Sequence, residues 1–257
     1  MTENTIRKTI GGTAISSVVD LNPYKDKHAL WLELTGRVGP TEMNAAMARG
    51  IRYEPVVAEI YQAGHGEEEV FANLDRTSEP CHVVDEDYEF ITGSPDRILF
   101  REGQPWGGLE IKTASFSTIQ SWGEEGTDQV PVHYNLQCQQ YMALTGLHNW
   151  RLAVLFFLTD DKPCSYREYQ IPFDPELWSF LRKSAVDFWN TYILGDKAPE
   201  ITKETDATIR YLREQHPTDL EPIAEANEAE EALVSQCFAL KTLSPPQRKR
   251  TTPPRCG

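Results

Sequence analysis

The stretch GSPDRILFREGQPWGGLEIKTAS, Gly93 to Ser115, restricts the fold of this 257-residue chain more than any other segment. Two strand-length apolar runs lie on either side of a connection whose glycines and proline suit a chain reversal. The pair reads as an antiparallel hairpin. Side chains alternate across a strand, so Glu110 and Lys112 project to one face with Ile111 buried behind them. Asp96 closes the Ser94-Pro95-Asp96 turn from which the first strand departs, and the hairpin sets it beside Glu110. Two carboxylates a few ångströms apart repel each other unless a cation lies between them. Oxygen-only ligands favour Mg²⁺, with Mn²⁺ able to substitute. The Ile111 carbonyl is a further candidate ligand. Lys112 is placed to hold or deprotonate an attacking water whose pKa the metal lowers. Such a set suits hydrolysis of a phosphodiester. Either part alone is ordinary, since Pro-Asp turns and Glu-x-Lys surface strands are common; the weight rests on their combination around one hydrophobic strand.

The surrounding pattern predicts an α/β fold, a central mixed sheet with helices packed on it. Residues 10–36 read as a glycine turn, a short helix, a proline-containing loop and an amphipathic helix. Residues 41–64 predict a long helix opened by a Thr-Glu cap, with Pro55 expected to interrupt or bend it. Strands are expected at PCHVVDE, YEFITGSPDRILF, GGLEIKT, WRLAVLFFLTD and SYREYQIPF. Helices are expected at VPVHYNLQCQQYMALTG and DPELWSFLRKSAVDFWNTYILG, the second stopping at Gly195. The main domain is therefore assigned to residues 1–195. An acidic extension follows over 196–240, with one helix from about Glu221 to Leu240, and the basic, proline-rich 241–257 is expected to be disordered.

A net charge of −14 argues at face value against a nucleic-acid partner. Its distribution weakens the objection. Residues 1–60 hold seven basic and seven acidic side chains, whereas 196–240 hold four and eleven, half of the total imbalance. That acidic stretch is expected to lie outside any DNA path. Carboxylates gathered at a metal also add to the count without repelling a substrate once the cation is bound. No apolar run approaches the roughly 20 residues that cross a bilayer, and residues 1–12 lack a secretory signal's apolar segment. Five cysteines show no Cys-x-x-Cys spacing, which disfavours a disulfide framework and a zinc or iron–sulfur site. A reduced, cytoplasmic protein without a membrane partner is expected, in the host cytoplasm if phage-encoded.

Pro95-Asp96 followed by Glu110-Ile111-Lys112 resembles the PD-(D/E)xK nuclease pattern. Three further segments narrow the resemblance to the YqaJ-like, lambda-type phage exonucleases. IGGTAISSVVDLNPY is similar to that family's N-terminal Gly-Gly-Ser motif. NAAMARGIRYEP is similar to its helix bearing an active-site glutamate, here Glu54, and HYNLQCQQYMALTG to its glutamine motif, here Gln137 and Gln139. The order is consistent over residues 6–195. The resemblance implies a restriction-endonuclease-like core and a Mg²⁺-dependent exonuclease that degrades one strand of duplex DNA from the 5′ end in phage-type recombination. It also implies a homotrimer and a single-strand annealing protein as partner. Asp96 and Glu110 would then be metal ligands and Lys112 the water-activating residue. Glu54 would ligate or orient a second metal or its water, and Gln137 would hydrogen-bond the nucleophile or a phosphate.

A 5′-phosphate needs cationic and hydroxyl donors. Arg7, Lys8 and Thr13 beside Gly11-Gly12 supply them, with Arg49 and Arg52 as next candidates; the family usually has Ser-Asp or Ser-Ala where this chain has Thr13-Ala14. On residue type alone, Glu54, Gln137, Arg49 and Arg52 read as well as solvated helix positions. One acid among Asp85, Glu86 and Asp87 is a candidate to line the site, though a solvated loop is the plainer account. His65, His82 and His133 lack companion ligands and are expected on surfaces or loops, and Trp150, Trp178 and Trp189 in packing roles. Two alternatives stand beside the exonuclease: a restriction-like endonuclease on the same core, and a non-catalytic DNA-binding module. Glu54 with the glutamine motif speaks against the first, and the retained Asp96, Glu110 and Lys112 against the second.

Overall fold

The computed structural model describes residues 9–39 and 41–215, so Arg7, Lys8 and everything expected beyond 215 lie outside the described residues. Five strands form the main sheet: β1 (Glu69–Phe71), β4 (Arg97–Arg101), β5 (Gln104–Ser115), β6 (Asn149–Thr159) and β7 (Lys162–Pro172), neighbours in that order. Every pairing is antiparallel except β5 with β6, which is parallel. A parallel neighbour requires a crossover, and helix α4 (Val132–Thr145) supplies it. Strands β2 (Val83–Val84) and β3 (Thr92–Gly93) form a separate two-stranded ladder, extended by a parallel bridge between Ile10 and Ile91.

Alternation along β5 and β6 decides which helix covers which face. Leu109 and Ile111, with Ala153, Leu155 and Phe157, pack under Val57, Ala58 and Tyr61 of α3 (Ala45–Gly64). Leu152, Val154 and Phe156 pack against Cys138, Tyr141 and Met142 of α4 on the opposite side. Glu110 falls on this α4 side, at the register of Leu152. Outside α4 lies a second apolar layer of α1 (Gly12–Val18), α2 (Lys27–Leu34) and α5 (Pro175–Phe188), built on Ile15, Leu32, Leu136, Leu181 and Phe188.

Several expectations are corrected. The long helix begins at Ala45, because the Asn44 side chain accepts from the Met47 N–H at 2.9 Å; the Thr41 hydroxyl bonds Glu33 instead. The helix also runs through Pro55. Ile51, whose carbonyl loses its donor there, and Pro55 are both exposed, so water can take the missing partner's place. The strand expected over 88–100 is split at Ser94-Pro95 into β3 and β4, since proline offers no N–H to a ladder. PCHVVDE pairs over only two residues.

The compact unit also extends past the boundary expected at 195, to Gln215. The buried Asp26 carboxylate explains this. One oxygen caps α2 through the Ala29 N–H at 2.8 Å, and the other accepts from the backbone N–H groups of Thr202 and Lys203 at 3.0 and 3.1 Å. Burial alone would raise the Asp26 pKa, but these donors outweigh it and hold the carboxyl below its ordinary value. Nearby, His28 Nδ1 lies 3.3 Å from the hydroxyl of Thr208 in α6 (Asp206–Gln215). Asp26→Ala strands buried donors and should destabilise the domain by about 2–4 kcal/mol, read as a shift of the urea midpoint. An unchanged midpoint would show that residues 196–215 are not latched here.

Candidate active site

Strand β4 begins at Arg97, opposite Leu109, while β5 runs on to Ser115. Past Leu109 that edge of β5 has no strand beside it among the described residues. The Ile111 N–H on this edge is taken by Asp96 Oδ2 at 2.8 Å. The break at Pro95 therefore does what the hairpin argument expected: it bends Asp96 onto β5 beside Glu110. Ile111 thus meets Asp96 through its N–H, and its carbonyl stays a candidate ligand.

Glu110 is 1% exposed. Its Oε1 accepts from Lys112 Nζ and from Gln137 Nε2, the latter at 2.7 Å. Its Oε2 is buried and has no donor among the described residues. A buried carboxylate oxygen left without a partner is costly. Burial, and after it the Asp96 charge, push the Glu110 carboxyl up to about 8 against the pull of Lys112. Burial raises Asp96 too, opposed by Lys112 and the Ile111 N–H. Burial alone would make Lys112 shed its proton, but the Glu110 and Asp96 charges outweigh it and hold the ammonium above its ordinary value. Glu54 reaches this region from α3 and accepts from Arg97 Nη1 at 2.7 Å. Among the described residues no three carboxylate, imidazole or thiol groups enclose a common point. Arg97 and Lys112 supply the compensating charge instead. An unpartnered oxygen on Glu110, whose carboxyl interacts with that of Asp96, nevertheless fits a divalent oxygen-liganded cation, which would give that oxygen the partner it lacks.

Gln137 points inward. Besides Glu110 it contacts the Tyr141 hydroxyl at 3.0 Å. The Tyr141 ring is seated against two glycines: a Cβ at Gly12 would overlap the ring, and one at Gly93 would lie 3.0 Å from it. The Gly11-Gly12 motif thus has a packing reason, reaching Glu110 through Tyr141 and Gln137. Tyr141 and Arg97 escaped the sequence reading, although one stands a helical turn after Gln137 and the other directly after Asp96. On the Asp96 side an open cleft of about 810 Å³ is lined by Glu54, Pro95, Asp96, Arg97 and Arg76 among others.

Other candidates are placed elsewhere. Gln139 donates to the Pro172 carbonyl and accepts from the Asp174 N–H, a structural role. Thr13 is exposed, with its carbonyl accepting from Asn22 Nδ2 at 3.4 Å. Arg49 is paired with Asp160 at 2.7 Å and lies over Phe157, while Arg52 is exposed. Asp85 and Asp87 bind Arg182 and so do not line the site; Glu86 is exposed. His65 stacks on Tyr61 and His82 is exposed. His133, expected at the surface, is half-buried beside Lys112, and burial followed by the Lys112 charge pushes it down to about 4. Trp150 is in the core, Trp178 is partly buried against the layer of α1, α2 and α5, and Trp189 stacks on Phe90.

A family model for the YqaJ-like viral recombinase domain matches residues 4–148. The uncharacterized protein YqaJ of Bacillus subtilis (strain 168) is 28% identical over 211 residues, covering 82% of this chain and 61% of that protein. The chain thus spans about three fifths of this curated relative. An alkaline exonuclease (LHK-Exo) from Laribacter hongkongensis has a similar fold, with a TM-score of 0.55 at 21% identity over 82% of this chain and 94% of that one. Its complex with dAMP gives 0.54 and 19% over the same shares. At this identity the likeness concerns the fold, a restriction-endonuclease-like mixed sheet between helices.

A pH dependence follows from Glu110. Its proton is held more tightly in the folded than in the unfolded chain, so metal-free stability should fall as pH rises from the ordinary carboxylate range to about 8. Urea unfolding in chelator at pH 6 and pH 8 measures the fall. Excess Mg²⁺ should shrink it, by stabilising the ionised folded form, and Glu110→Gln should flatten it. Equal stability at both pH values in the metal-free protein would contradict the assignment.

Proposed function

The chain belongs to the YqaJ-like viral recombinase domain family, and on that premise we propose that it is a divalent-metal-dependent exonuclease acting at double-stranded DNA ends. The observation that carries this reading is the Glu110 oxygen, buried and without a donor among the described residues, on a side chain next to Asp96 and Lys112. The dAMP held by the Laribacter exonuclease, a nucleoside monophosphate, supports the same substrate class. Asp96 and Glu110 would hold Mg²⁺, or Mn²⁺ in its place, with Glu54 as a further carboxylate. A cation bound there would polarise a phosphate and lower the pKa of a coordinated water.

The chain's own residues supply the rest. Lys112 retains its proton because two carboxylates surround it, so it acts as a cationic donor that steadies a water and the growing phosphate charge. Gln137 fixes the Glu110 carboxylate, and Tyr141 fixes Gln137. Degradation from the 5′ end, a role in recombination, a homotrimeric assembly and a single-strand annealing partner follow from the resemblance and complete the proposal. Arg7, Lys8 and Thr13 remain the proposed 5′-phosphate donors, with Arg49 and Arg52 beside them. Arg49 would have to exchange Asp160 for a phosphate.

Linear duplexes with and without a 5′-phosphate, incubated with Mg²⁺, should show the 5′-phosphorylated strand shortening while closed circular DNA stays intact. Nicking of the circle would favour the endonuclease alternative. Lys112→Ala should lower hydrolysis by about a hundredfold or more and leave duplex-end binding mostly unchanged. Cleavage near the wild-type rate would remove Lys112 from the chemistry.

A further inference from the structure

Beside Lys112, three rings lead from the carboxylates to solvent. Lys112 Nζ lies 5.1 Å from the centroid of Tyr134. Tyr134 meets His133 at 3.9 Å, and the edge of His133 meets Tyr24 at 5.9 Å and 89°. Tyr134 is backed by Trp122 at 5.5 Å. Tyr24 comes from a distant part of the chain, the loop between α1 and α2, and is 76% exposed. The backbone that carries this exposed ring is fixed by hydrogen bonds. Asn22 Oδ1 accepts from the N–H groups of both Tyr24 and Lys25, at 2.8 and 3.1 Å. Asn22 Nδ2 donates to Ser16 Oγ, and the Asn22 carbonyl accepts from Lys203 Nζ. Pro23 restricts the backbone just before the ring. His133 Nε2 is buried and has no hydrogen-bond partner among the described residues.

We propose that Tyr24, with His133 and Tyr134 behind it, is a stacking platform for an unpaired base of the DNA strand held at the carboxylate site. The inference rests on the nuclease reading and adds to it a recognition residue and a ligand form, a single-stranded nucleotide next to the scissile phosphate. Every base has a π-face, so an aromatic platform binds without regard to sequence. That suits an enzyme that must pass over any sequence. The polar groups agree with this occupant. The Lys112 ammonium beside Tyr134 is cationic, and a purely apolar protein partner would leave it unmatched.

The test uses the full chain in EDTA, where no strand is cut, and a duplex whose short single-stranded extension carries 2-aminopurine. Stacking quenches this base. Wild type and Tyr24→Phe should bind and quench it, whereas Tyr24→Leu, which keeps apolar bulk without a π-face, should lose the quench and about tenfold in affinity. Blunt duplex should be bound alike by all three. The exposure of Tyr24 makes the variants compatible with folding, and a shared melting temperature verifies it. An unquenched wild type, or Tyr24→Leu behaving as wild type, would overturn the platform. The nuclease reading is judged separately: wild type that leaves DNA intact in Mg²⁺ sinks that reading, whatever the quench shows.

Discussion

A carboxylate buried next to another carboxylate is costly, and the rest of the site is organised around it. Glu110 sits in mid-sheet on β5, where no water reaches one of its oxygens. Asp96 is bent onto the same strand by the proline break that precedes β4. Lys112 and Gln137 satisfy the other Glu110 oxygen, and Arg97 holds Glu54. These contacts offset part of the repulsion and leave one oxygen free. A protein that needed only stability would replace such a pair with apolar side chains. The pair is what the proposed cation site would require.

The fold keeps this site rigid from both faces of the sheet. Leu109 and Ile111, the alternate residues of the same strand, are buried under α3, so a slip of β5 by one residue would exchange the carboxylate for a core side chain. On the other face, Gly12 and Gly93 make room for Tyr141, whose hydroxyl holds Gln137. A motif at residues 11–12 thereby acts on a strand a hundred residues away. The two flanks differ in chemistry. The Asp96 side opens into a cleft that contains Arg97 and Arg76, while the Lys112 side carries aromatic rings.

The hairpin was legible because its information is local: a proline break, a reversal and a strand whose alternation puts Glu110 and Lys112 together. The parallel β6 partner was less so, since crossover pairing depends on contacts between distant segments. The short β1 and the two-residue β2–β3 ladder carry too few residues for a period to show. Pro55 misled because the proline rule assumes a carbonyl that needs its helical donor, and here Ile51 and Pro55 are both exposed, where water can serve. Tyr141 was hidden because a tyrosine in an apolar helix face reads as core, and only the two facing glycines and Gln137 reveal its hydroxyl. The boundary at 195 was drawn from charge density. Charge does not register a single buried aspartate, Asp26, that catches the chain beyond it.

The claim that a divalent cation belongs between Asp96 and Glu110 is tested most directly by calorimetric titration of Mn²⁺ into the metal-free protein in buffers of different ionisation enthalpy. A carboxyl raised to about 8 must give up its proton to become a ligand. Binding at pH 7 should therefore release close to one proton, and the release should vanish by about pH 9. Mn²⁺ that binds without releasing a proton at pH 7, or does not bind at all, would contradict the account.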